Sequence, residues 1–182
     1  VDANGEAGWE AAAGGGVTSD AQYNTVGGTG AGANFNGTNP VQNTLFGYNA
    51  GNDITNGDAN TLIGYKTGEL ITTGEANTAL GQEALIGCTT GSYNTAVGQG
   101  TGTGITTGSY NQLFGPWSGW KITTGTWNTT LGYQAMRGSS SNVTGNYNVV
   151  IGSTAAYNIR TASNNTIVGY ATGYNTTTGS EN

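Results

Sequence analysis

A phrase of five or six residues, Asn-Thr-Leu-Ile-Gly-Tyr at Asn60–Tyr65, returns along most of the chain at a fixed interval. Copies begin at Asn43, Asn60, Asn77, Asn94, Asn111, Asn128, Asn148 and Asn165, 17 residues apart except for one step of 20 after Asn128. A shorter phrase lies between copies: Ile71-Thr72-Thr73-Gly74, Cys88-Thr89-Thr90-Gly91, Ile105-Thr106-Thr107-Gly108 and Ile122-Thr123-Thr124-Gly125. A unit this short encloses no core of its own and has to be closed by the next one stacked on it. The period therefore predicts an all-β chain, a parallel β-solenoid (β-roll) of 17-residue coils over residues 43–182 that continues past Asn182.

Each coil is read by column, with the repeat Asn as column zero. Column three is always large and apolar (Phe46, Ile63, Leu80, Val97, Phe114, Leu131, Ile151, Val168) and column seven always small. Column four is always Gly, as at Gly64, Gly81, Gly98, Gly115 and Gly132. The Gly supplies a bend, a positive φ or a close backbone approach, and the Thr and β-branched residues around it favour strands. Two short strands per coil, each closed by a Gly turn, account for the period. Nine layers about 4.8 Å apart then make a rod of roughly 40 Å. Columns two, three and eleven are expected to fill the interior. The Asn column (Asn60, Asn77, Asn94, Asn111, Asn128) is expected to hydrogen-bond into a ladder along the rod. No stretch carries a helical period without a Gly, so no helix is expected.

The ends differ from the middle. Residues 1–23 read as a linker or N-terminal attachment segment, with Ala11–Gly16 free of any period and Trp9 as its one anchor. Residues 24–42 read as an atypical capping coil: Asn24-Thr25-Val26-Gly27-Gly28 is a degenerate copy, and Asn34–Pro40 a turn-rich insertion.

Composition removes whole classes of function. The chain has 34 Gly, no His and one cysteine, Cys88, so neither a disulfide framework nor a Cys/His metal site is available, and no cofactor is implied. Net charge is −6, unevenly spread: residues 1–91 hold nine acids and Lys66, while residues 92–182 hold Glu181 against Lys121, Arg137 and Arg160. Without a basic stripe a nucleic-acid partner is not expected, nor is membrane insertion, since no apolar run approaches a span. An enzyme is not expected either. General acid–base work would fall to carboxylates, and none lies between Glu83 and Glu181. A carboxylate pair shared between chains and a cation held by Asp53 and Asp58 are the two chemical alternatives.

A single roll of this size buries too little apolar surface to offset the ordering of its Gly residues. Rolls are therefore expected to pack on one another as a homotrimer, through columns five (Tyr48, Tyr65, Tyr133, Tyr170) and eight (Gly, Leu85, Met136).

The phrases Asn94-Thr95-Ala96-Val97-Gly98 and Thr90-Gly91-Ser92-Tyr93-Asn94-Thr95 resemble the repeats of tailed-phage fibres and other virion appendages, including those of marine cyanophages. They are also similar to the head repeats of trimeric autotransporter adhesins. The resemblance covers roughly residues 43–182, and the longer, less Ala- and Ser-rich coil favours the phage group. It implies a trimeric, surface-exposed rod in a virion, in contact with other virion proteins and a host surface, with a bacterial surface adhesin head as the alternative.

Two surface features suggest a role beyond support. Coil five carries Pro116-Trp117-Ser118-Gly119-Trp120, and column sixteen carries Tyr93, Tyr110, Trp127 and Tyr147 on successive layers. Exposed aromatics grip sugar rings through their apolar faces, which makes Tyr110, Trp117, Trp120 and Trp127 the candidate receptor site for a host cell-surface glycan. Ring stacking inside the rod, or packing between chains, is the competing reading. The second feature is the pair of Thr columns beginning at Thr72 and Thr73, which resembles an ice-binding face; Thr is also simply a good strand former.

Overall fold

The computed structural model describes residues 17–36, 40–138 and 141–179, so Trp9, residues 37–39 of the first insertion, Ser139, Ser140 and Asn182 lie outside the described residues. Ten three-residue strands form one sheet in chain order: β1 (Val17–Ser19), β2 (Thr25–Gly27), β3 (Thr44–Phe46), β4 (Thr61–Ile63), β5 (Thr78–Leu80), β6 (Thr95–Val97), β7 (Gln112–Phe114), β8 (Thr129–Leu131), β9 (Val149–Ile151) and β10 (Thr166–Val168). From β2 to β10 all pairs are parallel and in register, so Thr44, Thr61, Thr78 and Thr95 face one another across layers. The chain is an all-β solenoid with a coil every 17 residues, and no helix occurs among the described residues.

β1 runs antiparallel to β2 and closes the first layer, so residues 17–19 belong to the sheet and not to a linker. Asp20, in the turn between them, accepts from the backbone N–H of Gln22 (3.0 Å) and Asn24 (2.9 Å) and from the Asn24 side-chain amide (2.9 Å). The Asn24 side-chain donation, followed by backbone N–H bonds, holds its carboxyl below the usual range. Asp20 thus supplies the acceptor that a further Asn layer would have provided.

Only one strand forms per coil, not two. The strand is boxed in by left-handed residues: column sixteen before the Asn (φ 59° at Tyr93) and Gly of column four after it (φ 129° at Gly98). Two more left-handed columns, six and eight, wind the turn that follows, as at Lys66 (φ 54°) and Gly68 (φ 58°). The Ile-Thr-Thr-Gly side holds its layers through bonds such as Thr72 N–H to Thr89 O (2.9 Å) and Thr89 N–H to Thr106 O (2.9 Å). Its closest approach to a strand is a single bridge, Ile122 to Val143. Column four needs Gly for space as well as for φ. A Cβ built at Gly98 would lie 2.8 Å from the carbonyl carbon of Gly115 in the next layer.

The interior is filled by columns two, seven, eight and eleven, for example Leu45, Ala50, Gly51 and Ile54. Two of the expected faces are therefore reversed. Column eight points inward, with Leu85 and Met136 fully buried, and cannot serve chain–chain packing. Column three points outward: Leu80 is 48% exposed and Leu131 50%. Alternation along a strand explains this, because a buried Asn at column zero places column two inside and columns one and three outside.

Columns two and eight compensate each other in most layers, although Ala96 and Gly102 are small together. Leu62 opposes Gly68 and Leu113 opposes Gly119, whereas Ala79 comes with Leu85 and Thr130 with Met136. At Gly68 a Cβ would meet the Leu62 Cδ1 at 2.8 Å. Leu62→Ala alone should cost about 3 kcal/mol by cavity formation. Adding Gly68→Leu, in the backbone conformation that Leu85 already adopts (φ 53°), should recover part of that loss in urea unfolding.

Candidate functional site

The Asn ladder is the most regular feature of the interior. Asn24, Asn43, Asn60, Asn77, Asn94, Asn111, Asn128, Asn148 and Asn165 are all buried. From Asn24 to Asn148 each Oδ1 accepts twice from the next layer, as Asn60 does from the backbone (3.0 Å) and side chain (3.1 Å) of Asn77. Each Nδ2 also donates to a column-fourteen carbonyl of its own coil, such as Asn60 to Gly74 O (3.0 Å) and Asn94 to Gly108 O (2.9 Å). The amide is thus satisfied on both ends without water, which is what a buried Asn requires.

On the flank, Tyr93, Tyr110, Trp127 and Tyr147 form one stack, with centroid separations of 5.0, 4.3 and 6.4 Å and nearly parallel planes. All four are exposed. Tyr93 O–H donates to Glu75 (3.2 Å), and this carboxylate raises the phenol's pKa by that bond and by its charge. Because Tyr110 and Trp127 each have a ring on either side, the ladder offers a sugar ring edges and not faces. Trp117 lies elsewhere on the coil, edge-on to Tyr133 (5.7 Å, 81°). The four expected receptor residues therefore divide: Tyr110 and Trp127 stack on each other, while Trp117 and Trp120 have other partners.

Trp120 opens a second stack, in column nine. The Arg137 guanidinium lies 4.4 Å from the Trp120 centroid and 5.2 Å from that of Tyr157, and Tyr157 stacks on Tyr174 at 4.9 Å. Arg137 Nη1 donates to Tyr157 Oη (2.7 Å), and its Nε, buried, has no partner. Lys121 brings its ammonium within 5.1 Å of the same indole. Sequence reading missed this column because Arg137 interrupts the aromatics Trp120, Tyr157 and Tyr174. Their common position in the period was the available signal.

The remaining candidates have structural partners. Asp53 accepts from Asn34 (3.1 Å), Asp58 from Val41 N–H (2.9 Å), and Glu69 from Asn49 (2.8 Å) and Lys66 (3.2 Å). Among the described residues no group of three or more His, Cys, Asp or Glu could hold a metal ion, and no helix is long and apolar enough to cross a membrane. In the first Thr column the hydroxyls donate to the next layer, as Thr72 to Thr89 O (3.1 Å) and Thr89 to Thr106 O (3.0 Å). Only the second Thr column is fully exposed.

Cys88 takes the place of Ile in column eleven. Burial pushes its thiol up to about 12, only partly offset by a backbone hydrogen bond at Gly91. Its folded pKa exceeds the unfolded one, so the native state holds the extra proton between about 9 and 12. Stability should therefore fall as pH rises through that window, by up to about 4 kcal/mol. Comparing urea unfolding of the wild type with Cys88→Val across this range checks it; the variant should lack the added slope.

No family model, no curated protein and no solved structure matches this chain.

Proposed function

We propose that this chain is a structural segment of a trimeric β-solenoid rod in a tailed-phage virion appendage. It serves as a stiff spacer and contacts the host surface along its flank. The observation that carries this reading is the apolar outer face of the sheet. Columns one and three place Thr, Ile, Leu, Val and Phe side chains outward on β3–β10, with one Gln and no charged residue. Exposed aromatics of columns sixteen and five border it.

From strand spacing and rise the three-residue strands make a face about 40 Å long and about 10 Å wide, roughly 400 Å². Its apolar half is the unbroken column three, and the bordering aromatics widen it toward the area one partner contributes to a stable interface. An uncharged surface with a continuous apolar column suits an interaction site, and identical rods supply a face of the same length and repeat. Three-fold closure and the virion setting rest on the resemblance of the repeats. Sedimentation equilibrium at micromolar concentration should give three times the chain mass; a monomer would sink the proposal.

A further inference from the structure

We propose that Arg137 and Lys121, gathered at the Trp120 ring, bind the carboxylate or sulfate group of an acidic saccharide. This rests on the host-contact reading above and names the chemistry of the contact.

Both cations crowd one indole, at 4.4 and 5.1 Å. Neither forms an ion pair: the one pair among the described residues joins Lys66 to Glu69. The described acids all lie at or before Glu83, so no described carboxylate neutralises these layers. Each cation lies against the ring without a counter-charge among the described residues, and an oxyanion brought to this spot gains charge-assisted hydrogen bonds. The guanidinium is fixed between two aromatic planes, so little side-chain freedom remains to be lost when an anion binds. Arg137 has one donor engaged by Tyr157 and Nε enclosed, so its remaining Nη2 edge and the Lys121 ammonium are the groups for a ligand.

A sugar polymer fits better than a nucleic acid. Lys121, Arg137 and Arg160 are the only cations in residues 92–182, too few to track a densely charged backbone, whereas isolated oxyanions on a saccharide meet this one cationic spot. Arg137 and Tyr174 cover the ring faces, so Trp120 and Tyr157 border the cations with their ring edges.

Calorimetric titration of the assembled rod with trigalacturonate, with a sulfated galactose trisaccharide, and with neutral galactotriose tests this. The acidic trisaccharides should bind saturably and more weakly as NaCl rises, with the preferred one identifying the oxyanion; the neutral one should not. Lys121→Gln/Arg137→Gln should weaken binding at least about tenfold. Lys121→Gln alone, which leaves the stack intact, should weaken it measurably. No binding of either acidic sugar, equal binding of galactotriose, or undiminished binding by both variants would overturn the proposal. Sedimentation of the same samples separates the two readings: a trimer that binds no sugar refutes only this inference, and a monomer that binds it refutes only the assembly.

Discussion

Asn94→Ala should lower the free energy of unfolding by about 4 kcal/mol, more than any exposed substitution on the rod. The side chain donates to Asn77 Oδ1 (3.1 Å) and Gly108 O (2.9 Å), and accepts from Asn111 N–H (3.0 Å) and Asn111 Nδ2 (3.1 Å). Truncation leaves Gly108 O, Asn111 N–H and one amide proton of Asn111 buried without partners. Each orphaned buried group costs about 1–3 kcal/mol. Asn77 Oδ1 keeps the backbone N–H of residue 94 (3.0 Å), which limits the loss. Urea unfolding followed by circular dichroism measures it. A change below about 1 kcal/mol would mean that the ladder contributes little net stability.

Asn94→Asp sharpens the test through its sign. The carboxylate would keep both acceptor roles but face Asn77 Oδ1 and Gly108 O without protons to give, in a fully buried site. Its folded pKa must then lie above the unfolded value of about 3.9. The native state therefore binds more protons above that value, and stability falls as pH rises through it. This variant should approach the wild type near pH 4 and be the less stable of the two Asn94 variants at pH 7.

The solenoid was legible because its period is a backbone property. Seventeen residues separate equivalent Asn and Gly residues in sequence, and parallel in-register pairing turns that spacing directly into layers. The inside–outside assignment was harder to read. Column two holds Ala79, Ala96 and Thr130, so it looks less apolar than column three, although column two is buried and column three is not. At Ala79 and Thr130 the missing volume is supplied by column eight, through Leu85 and Met136. That compensation is visible only when both columns are read together.

Three of the four left-handed columns carry ordinary residues such as Glu83, Leu85 and Tyr93. Each such residue stores about 1–3 kcal/mol of strain, held in place by interlayer bonds such as Tyr93 N–H to Glu75 O (2.9 Å). Residue type therefore did not announce them, and two strands were expected where one fits. The aromatic column was legible because stacking follows from the period. The Trp120–Arg137–Tyr157–Tyr174 column was not, since a guanidinium between rings does not look like a continuation of them.

If the chains assemble as proposed, Glu at three outward positions, Leu80→Glu, Phe114→Glu and Leu131→Glu together, should convert the rod to monomers. These side chains lie on β5, β7 and β8, in the apolar column of the outer face. Each contributes up to roughly 1.5–3 kcal/mol when buried by a neighbour, and each Glu would instead be desolvated beside like charges around the axis. Dissociation should therefore strengthen by more than about 10⁴-fold. The coils themselves should survive, because no outward residue takes part in the Asn ladder or the interior. Acidification below about pH 4.3 protonates the added carboxyls and should restore part of the association. Glu at Thr90, Thr107 and Thr124, exposed in the second Thr column, adds the same charge away from the sheet's outer face and should leave the assembly intact. If the second set dissociated the rod and the first did not, the chains would meet through the Thr side, and the apolar column would need another partner.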